Sequence, residues 1–294
     1  MRKILRWIKY PLSRKKFSFY FYLYKIIFTT IKKRYSKIID LVNFDSDKST
    51  KLKYIETKIG KFLVFSHDGG ISRQLFINKQ YNFKSFQKVI KIIGKQDLLI
   101  DVGANIGPTC ISAINKGYSK KSIAIEPELD CYKILKQNIK INDLENKIRV
   151  LNNAVSNKIE LLKISKKNEN SGASFITKKT SKFELIKSIK LDKFANKIKN
   201  KTLIWVDVQG YEGKVIEGSK KIIKKKIPFV IEFWPHAINR NQDRDLVIAG
   251  LKRFKHFYDL NSDEKKTICS NENIKKLFFK YNKKKATELL LVNF

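Results

Sequence analysis

The chain has 294 residues, 43% of them hydrophobic, which excludes global disorder and leaves one large domain or a domain with an extension. Lysine and arginine number 63 against 27 acidic residues, a net charge of +36. That excess fits either an anionic partner (nucleic acid, a membrane surface, an acidic glycan) or compositional drift, because Lys far outnumbers the Arg that suits bidentate phosphate recognition. The three scattered cysteines, Cys110, Cys131 and Cys269, exclude a disulfide framework and any metal spacing, and fit a reducing, cytoplasmic compartment.

Residues 1–50 read as a basic, aromatic helical extension and residues 51–294 as the main domain. The opening MRKILRWIKYPLSRKK interleaves Ile4, Leu5, Trp7 and Ile8 with cations, and Pro11 ends its first short helix. Phe17–Ile31 is almost wholly apolar but shorter than the about 20 residues that span a bilayer. Two readings stay open for residues 1–35: a helix packed on the domain, or peripheral contact with anionic lipid at the inner face of the membrane. No cleavable signal peptide is evident.

Asn43–Thr50 is a polar linker. Tyr54–Ile55 and Phe62–Phe65 predict a hairpin turning at Lys58–Lys61, His67–Gly70 a loop, and Phe83, Phe86, Val89, Ile90 and Ile93 one face of a helix. An alternation follows. Strands are expected at Leu98–Val102, Ser122–Glu126, Ile148–Leu151, Leu203–Val208, Phe229–Phe233, Phe257–Leu260 and Glu288–Phe294. Helices are expected at Pro108–Asn115, Asp130–Ile141, Lys214–Lys224 and Asp245–Phe254. Such an alternation predicts a mostly parallel sheet covered on both faces. An insertion, Val155–Asn200, carries short strands at Glu160–Ile164 and Ser174–Thr177, a bend at Ser171–Ala173 and a short helix near Leu191–Ile198; it is placed to act as a lid.

Gly103-Ala104-Asn105-Ile106-Gly107-Pro108, between the first strand and its helix, is a ligand-binding turn with backbone N–H groups at a positive helix end. A dinucleotide turn requires glycine where Asn105 and Pro108 stand, and no phosphate-binding loop with its Gly-Lys-Ser/Thr ending is present. S-adenosyl-L-methionine remains, a ligand without phosphates. Asp101, Gly103, Ala104, Asn105 and Gly107 would take its methionine end, Glu126 with Pro127 its ribose hydroxyls, and Asn153 with Ala154 its adenine edge. All fall at the C-terminal ends of neighbouring strands, where open α/β sheets bind ligands.

DVGANIG (101–107), AIEP (124–127), NNAVS (152–156), IKLDKF (189–194), WVDVQGYE (205–212) and VIEFWP (230–235) resemble, in content and order, the FkbM-type methyltransferases over residues 55–260. The resemblance implies a Rossmann-like, seven-stranded class I methyltransferase fold. It also implies O-methylation of a hydroxyl on a sugar, polysaccharide or secondary metabolite. Position 209 is Gln where many members of such families have Glu, and a Gln takes no proton.

Methyl transfer rests on positioning the acceptor oxygen, helped by a base as its proton leaves. Asp207, Glu212 and His236 are the catalytic candidates; Glu232 either orients its neighbours or pairs with a lysine, and Trp234 lines the acceptor pocket or packs in the core. Two other functions fit the charge: a nucleic-acid methyltransferase or basic binding module, and a non-catalytic membrane-surface protein retaining the fold. Against the first, Asp207-Val208-Gln209-Gly210 stands where a base-amino methyltransferase carries an Asn-Pro-Pro-aromatic tetrapeptide.

Overall fold

The structure, a computed structural model, describes residues 26–31, 52–165, 183–199, 201–262, 265–282 and 285–294. The chain divides into two units, Met1–Lys48 and Ser49–Phe294. Of the first, residues 26–31 form a short helical run with Ile26, Ile27, Phe28 and Ile31 exposed. The first basic helix, the linker, the bend at 171–173 and the strand at 174–177 lie outside the described residues.

The second unit opens with an antiparallel hairpin, β1 (Leu52–Thr57) and β2 (Gly60–Phe65), then α1 (Ile71–Asn78) and α2 (Phe83–Ile93). The alternation begins with β3 (Gln96–Val102), α3 (Pro108–Asn115), β4 (Ser119–Ile125), α4 (Leu129–Lys140) and β5 (Ile148–Leu151). The insertion forms its own sheet, β6 (Ala154–Val155), β7 (Leu161–Ser165) and β8 (Phe183–Ile189), in the order β6-β8-β7. Then come β9 (Thr202–Val206), α5 (Glu212–Glu217), α6 (Lys220–Lys224), β10 (Phe229–Phe233), α7 (Pro235–Arg240) and α8 (Arg244–Leu251). The chain closes with β11 (His256–Asp259), β12 (Thr267–Ile268), α9 (Asn271–Lys280) and β13 (Thr287–Val292).

The main sheet runs β12-β11-β13-β10-β9-β3-β4-β5. From β10 to β5 every pairing is parallel; β13 inserts antiparallel between β10 and β11. This is the expected mostly parallel α/β architecture, with a two-residue β12 added at one edge of the seven expected strands. Central strands are apolar on both faces, as parallel strands under two helical layers must be: all five residues of β9 are buried, and so are Leu99, Ile100 and Val102 of β3. Helix α2 forms as its spacing predicts and anchors by Phe86, whose ring stacks on Trp205 at 5.2 Å and on Tyr118 at 5.7 Å. The hairpin docks through α4, where Asn138 accepts the Leu63 N–H at 2.6 Å and donates to the Ile106 carbonyl at 2.8 Å.

Two expected helices differ. Lys214–Lys224 breaks into α5 and α6 because Ser219 Oγ donates back to the Val215 carbonyl at 2.6 Å while Asp192 Oδ1 accepts the N–H groups of Lys221 and Ile222 at 2.9 and 3.1 Å, starting a new helix. The helix expected near Leu191–Ile198 is a 3-10 helix over Leu191–Phe194, held by the Asp192 N–H on the Gly218 carbonyl at 3.1 Å.

Candidate active site

At the end of β3 the chain turns at Gly103 (φ +82°), where a Cβ would lie 1.9 Å from the Asp207 carbonyl oxygen. Only glycine lets the turn pass so close to the end of β9. Gly107 (φ +94°) brings the start of α3 against Leu135 of α4, which a Cβ would meet at 2.6 Å.

The expectation of free backbone N–H groups in this turn is corrected by the structure. Gly103 and Ala104 both donate to the Ile125 carbonyl (2.9 and 3.1 Å), Asn105 to Glu126 Oε2 (2.7 Å), Ile106 to Asn105 Oδ1 (2.9 Å) and Gly107 to the Ala104 carbonyl (2.9 Å). The turn holds itself and the end of β4, so what it offers a ligand is a surface without side chains, bordered by carbonyls and carboxylates. Asp101, 2% exposed, spends Oδ2 on the Cys110 N–H at 3.1 Å and braces the first turn of α3. Burial, with the charge of Asp207 adding to it, pushes its pKa up to about 7.

Glu126, 5% exposed, follows β4 directly. Its Oε2 accepts the Asn105 N–H at 2.7 Å and its Oε1 the Glu128 N–H at 2.8 Å. In the ionised form each carboxylate oxygen has two lone pairs, so one on each remains for a ligand, which is the acceptor set a ribose diol requires. Burial pushes this carboxyl up to about 8, against the pull of the two N–H groups. The loop after it, with Pro127, is tied down by a residue that sequence reasoning passed over: Asn152 Nδ2 donates to the carbonyls of Glu126 and Pro127, both at 2.9 Å. Asn153, expected at the adenine edge, commits its Nδ2 to the Lys187 carbonyl of β8 at 3.0 Å and so ties β5 to the inserted sheet; Ala154 is buried in β6.

A second cluster sits beyond β9 and β10. Gln209, in left-handed backbone (φ +56°), donates through one Nε2 to Asp207 Oδ1 at 2.9 Å and to Glu232 Oε2 at 3.0 Å. The partner of Glu232 is thus an amide and not a lysine. Burial drives both carboxyls upward; the Gln209 amide and Glu232 pull Asp207 back, whereas the charge of Asp207 adds to burial at Glu232 and holds it well above the ordinary carboxylate range. Glu212, at the start of α5 and 1% exposed, turns under this loop: its Oε1 accepts the N–H groups of Val208 and Gly210 at 3.1 and 3.2 Å, and burial lifts its pKa to about 8. His236 does not join the cluster; it is exposed at the start of α7, its ring 5.8 Å from that of Trp234. Trp234 is half-buried, and its Nε1 is buried with no hydrogen-bond partner.

The two clusters meet through the backbone. Asp207 donates its N–H to the Val102 carbonyl at 2.9 Å, and its own carbonyl abuts Gly103. One site therefore runs along the C-terminal ends of β4, β3, β9 and β10. Among the described residues, no three His, Cys, Asp or Glu side chains form a metal cluster, and no helix is long and apolar enough to cross a membrane.

The profile described as the methyltransferase FkbM domain matches residues 101–261, more than half of the chain and all of this site. The chain belongs to the FkbM methyltransferase family. The cofactor is S-adenosyl-L-methionine, and the spare lone pairs of buried Glu126 fit its ribose. A similar solved structure is the FkbM methyltransferase of Methylobacillus flagellatus KT, 16% identical over 67% of this chain and 43% of that one, TM-score 0.42. Others are the M. jannaschii tRNA m1G37 methyltransferase (14% identity, 83% and 55% coverage, TM-score 0.40) and M. capricolum TrmK with S-adenosyl-homocysteine (12%, 73% and 69%, TM-score 0.40). The chain spans less than half the length of the M. flagellatus protein. No curated protein matches it.

Proposed function

We propose that this FkbM-family chain is an S-adenosylmethionine-dependent O-methyltransferase acting on a hydroxyl of a sugar, polysaccharide or secondary metabolite. The observation that carries the reading is the buried carboxyl pair Asp207–Glu232, held by one amide of Gln209 beside the cofactor turn. The cofactor, when bound, supplies a methyl group on a sulfonium that departs as a neutral thioether. Glu126 would hold the ribose through its free lone pairs, and the turn at Gly103 would take the methionine end. The Asp207–Glu232 pair takes the proton of the acceptor hydroxyl as the oxygen is alkylated. Gln209 holds the two carboxyls aligned by donating to one oxygen of each. Glu212 supports the loop through backbone N–H groups, which makes it a positioning residue. His236, exposed on α7, has no part in this scheme.

A nucleic-acid acceptor is the weaker reading, because the surroundings of the transfer point are acidic where a phosphodiester chain requires cations. Membrane contact through residues 1–35 remains a separate proposal about where the enzyme works. Mass spectrometry of cell-envelope glycans and small metabolites, from strains with and without the gene, should show species heavier by one CH2 only where the gene is intact. Complementation with Glu232→Gln should lower their yield steeply, since a positioned base contributes about a hundredfold or more. Full methylation with that variant would exclude Glu232 as part of the base, and identical spectra from the two strains would exclude this acceptor class.

A further inference from the structure

Two groups outside the family-matched segment face the Asp207–Glu232 pair. The insertion of β13 sets Glu288 directly opposite Glu232 in antiparallel register, on the same face of the sheet. Like charges so paired destabilise a sheet, and no ion pair to Asp207, Glu232 or Glu288 occurs among the described residues. Ser85 of α2 reaches the same carboxyl, Oγ to Glu288 Oε2 at 3.3 Å. Tyr81, two residues before α2, lies within electrostatic reach of Asp207, Glu232 and Glu288; burial first, and then their charges, hold its phenol well above the usual range. All of these acids and Tyr81 are half-buried, so solvent still reaches them.

Independent of these carboxyls, two polar atoms at the site are buried without a partner. They are Oε2 of Glu212, a residue 1% exposed that interacts electrostatically with Asp207 and Glu232, and the indole Nε1 of Trp234, two residues after Glu232. Unsatisfied groups on this scale are costly in a finished core and mark a place where a ligand supplies the partners. Arg240 faces Glu212 and Glu232 from α7 while donating to the Gln209 carbonyl at 2.8 Å. The pocket is therefore hostile to an anion, and a cation, Arg240, and the N–H donors of Gln209 already stand beside its acids.

We propose that Tyr81 and Glu288 complete the acceptor pocket and select an uncharged polyol, a pyranose whose hydroxyls donate to Glu232 and Glu288. This rests on the O-methyltransferase reading and narrows it: the acceptor ring carries no phosphate, carboxylate or ammonium group at the point of transfer. The overall charge of the chain then acts elsewhere than at the reacting atom.

The test is saturation-transfer NMR on the full chain, loaded with S-adenosylhomocysteine. The probes are the methyl glycosides of glucose, galactose and mannose, with those of glucosamine and glucuronic acid as charged counterparts. At least one neutral glycoside should bind, and Tyr81→Phe and Glu288→Gln should each weaken it about tenfold, the worth of one hydrogen bond to a charged group. Both variants should bind S-adenosylhomocysteine as the native chain does, which shows them folded. Equal or better binding of the amino or acidic glycoside, neutral binding unchanged in both variants, or no glycoside bound at all would overturn the proposal while leaving the methyltransferase reading intact. Failure of the native chain to bind S-adenosylhomocysteine would remove that reading and this proposal with it.

Discussion

Gly103 and Gln209 carry the geometry of the site at the scale of single residues. A methyl group at 103 would stand 1.9 Å from the Asp207 carbonyl oxygen in backbone that L-residues avoid. Gly103→Ala should therefore cost about 2–5 kcal/mol, strain and overpacking together, in a denaturant titration; a loss under about 0.5 kcal/mol would mean the turn does not pass so close to the end of β9. Gln209 bridges two carboxyls with one amide nitrogen, so Gln209→Glu sets a third acid between Asp207 and Glu232. The melting temperature of Gln209→Glu should fall below that of the native chain, and the gap should widen as pH rises and the three acids ionise. A gap independent of pH would show that residue 209 does not lie between them.

Asp259, at the end of β11, locks three elements of the antiparallel end of the sheet. Its carboxylate accepts Tyr281 Oη at 2.6 Å, Thr287 Oγ1 of β13 at 2.6 Å and Lys280 Nζ of α9 at 2.8 Å. Burial pushes its pKa up, but these three donors outweigh burial and hold it below the ordinary 3.8. Its contribution is thus complete at neutral pH and is lost as pH falls through the depressed value. Asp259→Asn, which sets an amide N–H against donors, should cost about 2–4 kcal/mol at pH 7 and much less in acid. An equal cost at both would show that the charge is not what the three donors hold.

Elements were legible in the sequence where period and burial agree. Helices α2 and α3 and strands β5 and β10 have the bounds their patterns predict, because the apolar positions are the buried ones. Strand β8 was missed because its hydropathy is inverted: Phe183 and Leu185 are exposed while Ile186 and Ser188 are buried, Ser188 bonding the Lys158 and Glu160 carbonyls at 2.8 and 3.0 Å. Helix α9 carried a readable signal, Ser270 as N-cap on the Asn273 N–H at 3.2 Å with Ile274, Leu277 and Phe278 spaced behind it. The cofactor side of the site follows the chain in order, strand by strand, so its residues could be found from spacing. The acceptor side could not: Glu232 and Glu288 meet only because β13 folds back between β10 and β11, a pairing that no local pattern announces.

At the scale of the whole molecule, the chain carries a net charge of +36, yet its site is built from buried acids. Asp101 is raised from 3.8 to about 7, and Glu126 and Glu212 from 4.5 to about 8. The folded chain therefore keeps protons that the unfolded chain has released, and its stability declines as pH rises from the ordinary carboxylate range through the raised values. The melting temperature of the cofactor-free protein should fall between about pH 5 and pH 8, and a flat or rising profile would mean these carboxyls are ionised in the fold. The measurement closest to the centre of the account is isothermal titration of S-adenosylmethionine into the native chain and Glu126→Ala. Saturable one-to-one binding by the native chain, weakened about a hundredfold or more by loss of the two ribose acceptors, is the expected result. A folded native chain that binds no cofactor, or a Glu126→Ala variant that binds it equally well, would contradict the assignment of the site.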